Sequence, residues 1–165
     1  PENPRNCGEW AGIMARWGFM ANTATTSTTI GVASVEQPAT GMPRIKLYDL
    51  IFGSEATPAD NVFLVEVNRS TAAATGTAVV PNALDPADTL AAVTLPKENL
   101  TVQGTNTAGA VPLSFALNQR ATFRWVAAPG GEIIVPATAL AGLHFNTTTA
   151  VGTPAASLSA NYEES

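Results

Sequence analysis

His144 is the only histidine in the chain's 165 residues, and it lies between Leu143 and Phe145 in a strand-like run. A Ser-His-Asp site needs such a residue as its base. No nucleophile-elbow pattern surrounds this one, so it reads as a residue capping a strand face. A metal at His144 needs further ligands, and the chain offers only carboxylates for that purpose. Asp49, Glu66 and Glu132 each fall near a predicted strand and are the candidates for the paired acids of a glycosidase. Carboxylates on the wet face of strands are ordinary, so no catalytic role is assigned to them. Asp85 and Asp88 flank Pro86-Ala87 but lack the other ligands of a calcium loop, and the segment reads as a turn. Cys7 stands alone and permits neither an internal disulfide nor a cysteine zinc site. The expectation is a non-enzymatic protein with no catalytic residues, no cofactor and no metal.

Composition narrows the class further. Charged residues make up 13% of the chain, below the roughly 25% of an ordinary domain. Ala, Thr, Gly and Pro take up the difference, which suits a β-protein whose surface is partly covered by neighbours. The net charge is −5, and the eight Lys and Arg are scattered with no basic stripe, so nucleic acid is not the expected partner. The longest apolar runs fall short of the roughly 18 residues that a membrane helix needs. Glu2, Glu9 and Arg16 interrupt any signal-peptide core at the start. Asn68-Arg69-Ser70, Asn99-Leu100-Thr101 and Asn146-Thr147-Thr148 match glycosylation acceptors and read as chance matches in a Thr-rich chain.

The elements that must position these residues are short strands. Ser114 to Ala137 reads as three of them, with turns at Asn118–Arg120 and Pro129–Gly131, and it is the stretch around which the rest is expected to be organised. Phe123 and Trp125 alternate with Thr122 and Arg124, which places Trp125 in a core. Trp125 can serve as a platform for a sugar or partner only if it faces outward, on the side of Arg124. Arg44 to Phe52 carries bulk on both faces and reads as a central or interface strand. Asn61 to Arg69 points Phe63, Val65 and Val67 inward, with Glu66 and Asn68 toward water. Leu90 to Leu95 reads as a weak strand or a short helical turn that Pro96 ends, ahead of a polar loop from Lys97 to Thr107 with room for one strand around Leu100 and Val102. Eight to ten short strands at 8–15-residue intervals predict an all-β fold, an antiparallel β-sandwich or jelly roll over residues 30–165.

Residues 1–29 differ in character from the rest of the chain, because Trp10, Ile13, Met14, Trp17, Phe19 and Met20 crowd into a short span. Two readings stand. Either the segment folds back on the chain's own core, or it is an extended arm whose Trp10, Trp17 and Phe19 anchor on a neighbouring subunit. The second is the working expectation, with Arg120 and Arg124 as secondary partner contacts. Met14 is also a candidate native start, which makes 1–13 an upstream extension.

The block LNQRATFRWVAAPGGEIIVPATALAG at 117–142, with ATPADN at 56–61 and NALDPAD at 82–88, resembles small structural proteins of tailed bacteriophages. These are head decoration, or cement, proteins, and the likeness covers roughly residues 14–165. The resemblance implies a β-sandwich or jelly-roll subunit, commonly a homotrimer, on the outer surface of the virion. Its partner is then the major capsid protein of an HK97-type shell, met at three-fold positions after synthesis in the host cytoplasm. It implies no catalytic residues, no membrane and no nucleic acid. Two rival readings are a tail, neck or fibre-base module of the virion, and a carbohydrate-binding module using Trp125 and Tyr48 as stacking platforms.

Overall fold

A computed structural model describes residues 15–56, 58–87, 92–150 and 153–165. The described residues form twelve strands and no helix. The period-two alternation that predicts strands is visible in their burial. Along β1 (Ala15–Thr23) the buried residues are Ala15, Trp17, Phe19, Ala21 and Thr23, while Arg16 and Met20 face solvent. β12 (Ala156–Glu164) lies antiparallel to β1 over its whole length, with Phe19 opposite Ala160 and Ala21 opposite Leu158. Phe19 and Leu158 thus each meet an alanine across the ladder, while Trp17 lies opposite Tyr162.

Two antiparallel sheets result. The first joins β1 and β12 with β3 (Ile45–Ser54), β6 (Asn82–Ala83), β9 (Phe123–Val126) and β10 (Ile133–Val135), in the order β10-β3-β12-β1-β6 with β9 also on β3. The second contains β2 (Ala33–Glu36), β4 (Val62–Ser70), β5 (Thr75–Ala78), β7 (Leu95–Val102), β8 (Leu113–Asn118) and β11 (Gly142–Ala150), ordered β5-β7-β2-β11-β4-β8. The core lies between their inner faces. Phe19 approaches Phe145 at 6.4 Å and Tyr162 at 6.1 Å, and Phe52 meets Phe63 edge-on at 5.7 Å. This is a β-sandwich, as the strand spacing predicts.

Four expectations need correction. Residues 1–29 are not an extended arm throughout, because Ala15–Thr23 is an inner strand of the first sheet, hydrogen-bonded on both sides. The domain therefore begins at least fifteen residues before position 30, and residues 1–14, with Cys7 and Trp10, lie outside the described residues. Trp17 and Phe19 are 4% and 2% exposed, so they are core residues and not subunit anchors. Water exclusion explains it: a strand that alternates aromatic and polar residues gains more by covering a core than by standing free.

The stretch 114–137 does form three strands, but they sit at sheet margins. β8 edges the second sheet, while β9 and β10 share the outer side of β3 in the first. The turn at Asn118–Arg120 thus carries the chain from one sheet to the other. The stacked rings of Phe115 and Phe123, with centroids 3.9 Å apart, bridge the sheets at that crossing. Pro96 does not end a strand either. It lies inside β7, opposite Val35, and its carbonyl accepts a hydrogen bond from Val79 N–H.

Neighbouring residues of β1 give contrasting stability effects. Phe19→Ala is expected to cost about 3–5 kcal/mol in urea or guanidinium unfolding, the range for a buried ring replaced by a cavity. Met20→Ala, at a position 67% exposed, is expected to change stability by no more than about 0.5 kcal/mol.

Candidate functional site

The outer face of the first sheet owes its chemistry to an irregularity in β3. Pairing with β12 runs Asn161 to Asp49 and then Tyr162 to Leu47, so Tyr48 is an extra residue on the β3 side. Such a β-bulge shifts the alternation of its strand. Ile45 and Leu47 before it and Leu50 and Phe52 after it all reach the core. Tyr48 and Asp49 both serve the outer face: Tyr48 lines a surface cleft with Lys46 and Glu163, while Asp49 binds the side chain of Arg124. The Tyr48 carbonyl accepts Ala127 N–H at 2.8 Å, which ties the bulge to the chain leaving β9.

Arg124 is held on Asp49 by two hydrogen bonds, Nε to Oδ1 at 3.0 Å and one terminal nitrogen to Oδ2 at 2.8 Å. Its side chain is nevertheless 60% exposed. The guanidinium, helped by the Asn161 amide and against the opposing effect of burial, holds the Asp49 carboxyl below the usual carboxylate range. Arg120 is exposed in the β8–β9 turn, where its backbone N–H donates to Asn118 Oδ1 at 2.9 Å. The two arginines expected as partner contacts are thus available to solvent. Trp125, opposite Leu50, faces inward and packs on the core, so it is no platform.

Beside the bulge the chain after β9 turns over the sheet through Pro129–Gly131. Gly130 takes φ +79°, a left-handed value that a side chain resists, and its N–H donates to the Glu132 carboxylate at 3.2 Å. The turn and the sheet enclose an open cleft of about 550 Å3, lined by Arg16, Lys46, Tyr48, Glu132, Ile134 and Glu163 among others. Lys46 Nζ donates to Glu163 Oε1 at 2.7 Å, and Arg16 stands 3.9 Å from the other Glu163 oxygen. Burial raises the Tyr48 phenol above its ordinary value, the Arg16 charge opposing.

The outer face of the second sheet is built differently. Ser34, Glu36, Asn68 and His144 point there, yet all are buried, because the segments around residues 71–74 and 103–110 fold over them. His144 Nε2–H donates to Glu36 Oε1 at 3.2 Å, a contact fixed in direction because a carboxylate only accepts. Its Nδ1 faces Gln103 Nε2 at 2.8 Å and Asn106 Oδ1 at 2.7 Å. Lys97 Nζ donates to Glu36 Oε2 at 2.5 Å and to the Ala74 carbonyl at 2.6 Å, and Ala74 N–H donates to Glu36 Oε1 at 2.5 Å. Gly104 lies against the imidazole so closely that a Cβ there meets His144 Cε1 at 2.5 Å. Burial by itself raises the Glu36 pKa, but hydrogen bonds from His144, Lys97 and Ala74 N–H together hold it below 4.5.

These contacts decide the sequence candidates. His144 is a satisfied structural residue. Ser34 lies directly across the ladder from it, yet the buried Ser34 Oγ makes no hydrogen bond among the described residues. Asp49 and Glu66 belong to different sheets, and Glu132 sits on the turn above the first. Asp85 caps its own turn by accepting Ala87 N–H at 2.9 Å, while Asp88 lies outside the described residues. Among the described residues no three His, Cys, Asp or Glu gather to hold a metal, and no helix is long and apolar enough to cross a membrane. Sequence reasoning missed the Glu36–His144–Lys97 cluster, and it named Tyr48 as a stacking platform without the cleft around it. Lys97 and His144 lie 61 and 108 residues from Glu36, a spacing that carries no linear signal, and the cleft depends on a turn some 80 residues after Tyr48.

Comparison of the chain with protein-family models, with curated proteins and with solved structures finds no match.

Because the Glu36 carboxyl is depressed in the folded protein, its stabilisation is complete above the unfolded value near 4.5 and is lost as the pH falls through the lower folded value. Chemical unfolding followed from pH 6 down to about pH 3 is expected to show a loss of stability that is shallower in Glu36→Gln. That variant is less stable than the parent at neutral pH, since it leaves Lys97 facing a neutral partner.

Proposed function

We propose that this chain is a non-enzymatic structural protein of a tailed-phage virion: a decoration or cement subunit that binds the outer capsid surface and stabilises the shell. The resemblance carried by residues 117–142, 56–61 and 82–88 points to that role, and the two-sheet architecture is compatible with a jelly-roll-type subunit that trimerises at three-fold positions of an HK97-type shell. The observation that supports it best is the unequal treatment of the two outer faces. Loops cover the centre of the second sheet's outer face, at Ser34, Glu36, Asn68 and His144, while the first sheet leaves Met20, Arg124 and Val126 more than half exposed. A broad face mixing apolar side chains with a pre-positioned arginine suits adhesion over an area, which a clamp requires and a catalyst does not.

The partner contacts of this reading are Arg120, Arg124 and Met20, in place of the buried Trp17 and Phe19. An Arg held by Asp49 loses little side-chain freedom on docking, and buried aromatics behind the sheet keep the face rigid. The shell's major capsid protein is the partner, and internal pressure is the load that many such weak contacts share.

Co-sedimentation of the purified chain with heads of its own virus, stripped of their decoration, tests this reading. Saturable binding is expected, with Met20→Asp reducing affinity by about tenfold or more at unchanged thermal stability. Absence of saturable binding to heads, or binding to purified tails instead, refutes the capsid assignment.

A further inference from the structure

The cleft between the Pro129–Gly131 turn and the first sheet falls within the roughly 300–1,000 Å3 of small-molecule sites, at about 550 Å3. Its lining has a definite chemical character. Tyr48 is half-buried on the outer face and shares the cleft with Ile134 and Pro129, which gives one apolar, partly aromatic wall. Around it stand two cations, Arg16 and Lys46, and two carboxylates, Glu132 and Glu163, so the formal charges of the described lining cancel. A site with no net charge exerts no strong pull on phosphate, carboxylate or ammonium ligands. It offers donors and acceptors side by side, next to an aromatic surface. The ligand class matching that combination is neutral, carries many hydroxyls and presents an apolar face of C–H groups: a sugar ring.

We propose that this cleft is a binding site for a neutral saccharide, with a pyranose ring stacked on Tyr48 and its hydroxyls hydrogen-bonded by Glu132, Lys46 and Glu163. The walls are set before binding. Ala127 N–H fixes the Tyr48 carbonyl at 2.8 Å, Lys46 is tethered to Glu163 at 2.7 Å, and Gly130 N–H orients Glu132 at 3.2 Å. Preorganised polar groups lose less entropy when a ligand arrives. The Tyr48 hydroxyl is a donor at neutral pH, as an ordinary tyrosine phenol is. No bond is made or broken in the cleft. The site does not rest on the capsid reading, and it adds to such a subunit a means of holding surface glycans.

Binding of the intact, fluorescently labelled chain to an immobilised array of neutral and charged microbial glycans and to a peptide array tests the proposal, with affinities of any hits measured by calorimetry. Retention by neutral glycans is expected. Tyr48→Ala is expected to weaken the best of them by about tenfold and Tyr48→Phe by less, since stacking survives in the latter. Glu132→Gln, on the exposed turn, weakens binding without altering the unfolding midpoint and separates loss of a contact from loss of the fold. No retention by any neutral glycan, preference for anionic glycans or for peptides, or affinity untouched by both Tyr48→Ala and Glu132→Gln overturns it. Capsid co-sedimentation is unaffected by that result, so the two readings fail separately.

Discussion

The bulge at Tyr48 is the constraint on which much of the structure depends. β3 is the strand that pairs with three others in its sheet, β12 along one side and β9 and β10 along the other. A strict alternation from Ile45 puts Leu50 and Phe52 on the wet face. One extra residue opposite the Asn161–Tyr162 step restores all four apolar side chains to the core. Each such burial stabilises by roughly 1.5–3 kcal/mol, far more than a local ladder irregularity costs. The same shift brings Tyr48 and Asp49 to one outer face, where one lines the cleft and the other fixes Arg124. Core packing and surface chemistry therefore follow from a single backbone event.

The second sheet solves a different problem. Its outer side chains include a carboxylate, an imidazole and, at its margin, an ammonium group, and the covering loops take them out of water. Burying ions costs more than their attraction returns unless their remaining hydrogen-bonding capacity is met. Here Glu36 accepts from His144, Lys97 and Ala74 N–H, and Lys97 also donates to the Ala74 carbonyl. The network links β2, β7 and β11 to the loop before β5, so it specifies how the covering segments lie. A similar arrangement closes the other end. Thr94 donates to Glu164 and shares a 2.6 Å contact with the Tyr162 hydroxyl, docking the start of β7 against the last strand.

Loops cover the centre of the second sheet's outer face, and the first sheet's outer face, open and mixed in character, is the proposed surface for a partner or ligand. The proposed capsid contact and the proposed saccharide cleft share that surface and divide it by character. Met20, Val126 and Arg124 form the exposed, adhesive part. Arg16, Lys46, Tyr48, Glu132 and Glu163 form the polar part that lines the open cleft.

Alternation within the chain determined that this is an all-β protein. Phe63, Val65 and Val67 were legible as inward residues, and the turns at 118–120 and 129–131 were legible from their Asn, Pro and Gly, because each depends only on neighbours in sequence. The role of β1 was not. A run such as ARWGFMANT is equally suited to a core strand or a docking arm, and only the presence of β12, some 140 residues later, makes it the former. Pairing partners, the phase change in β3 and the burial of His144 beside Glu36 all depend on which strands become neighbours. Those choices were decided by the tertiary structure, since they are set by the long-range closure of two apolar faces on each other and leave no mark in local residue order.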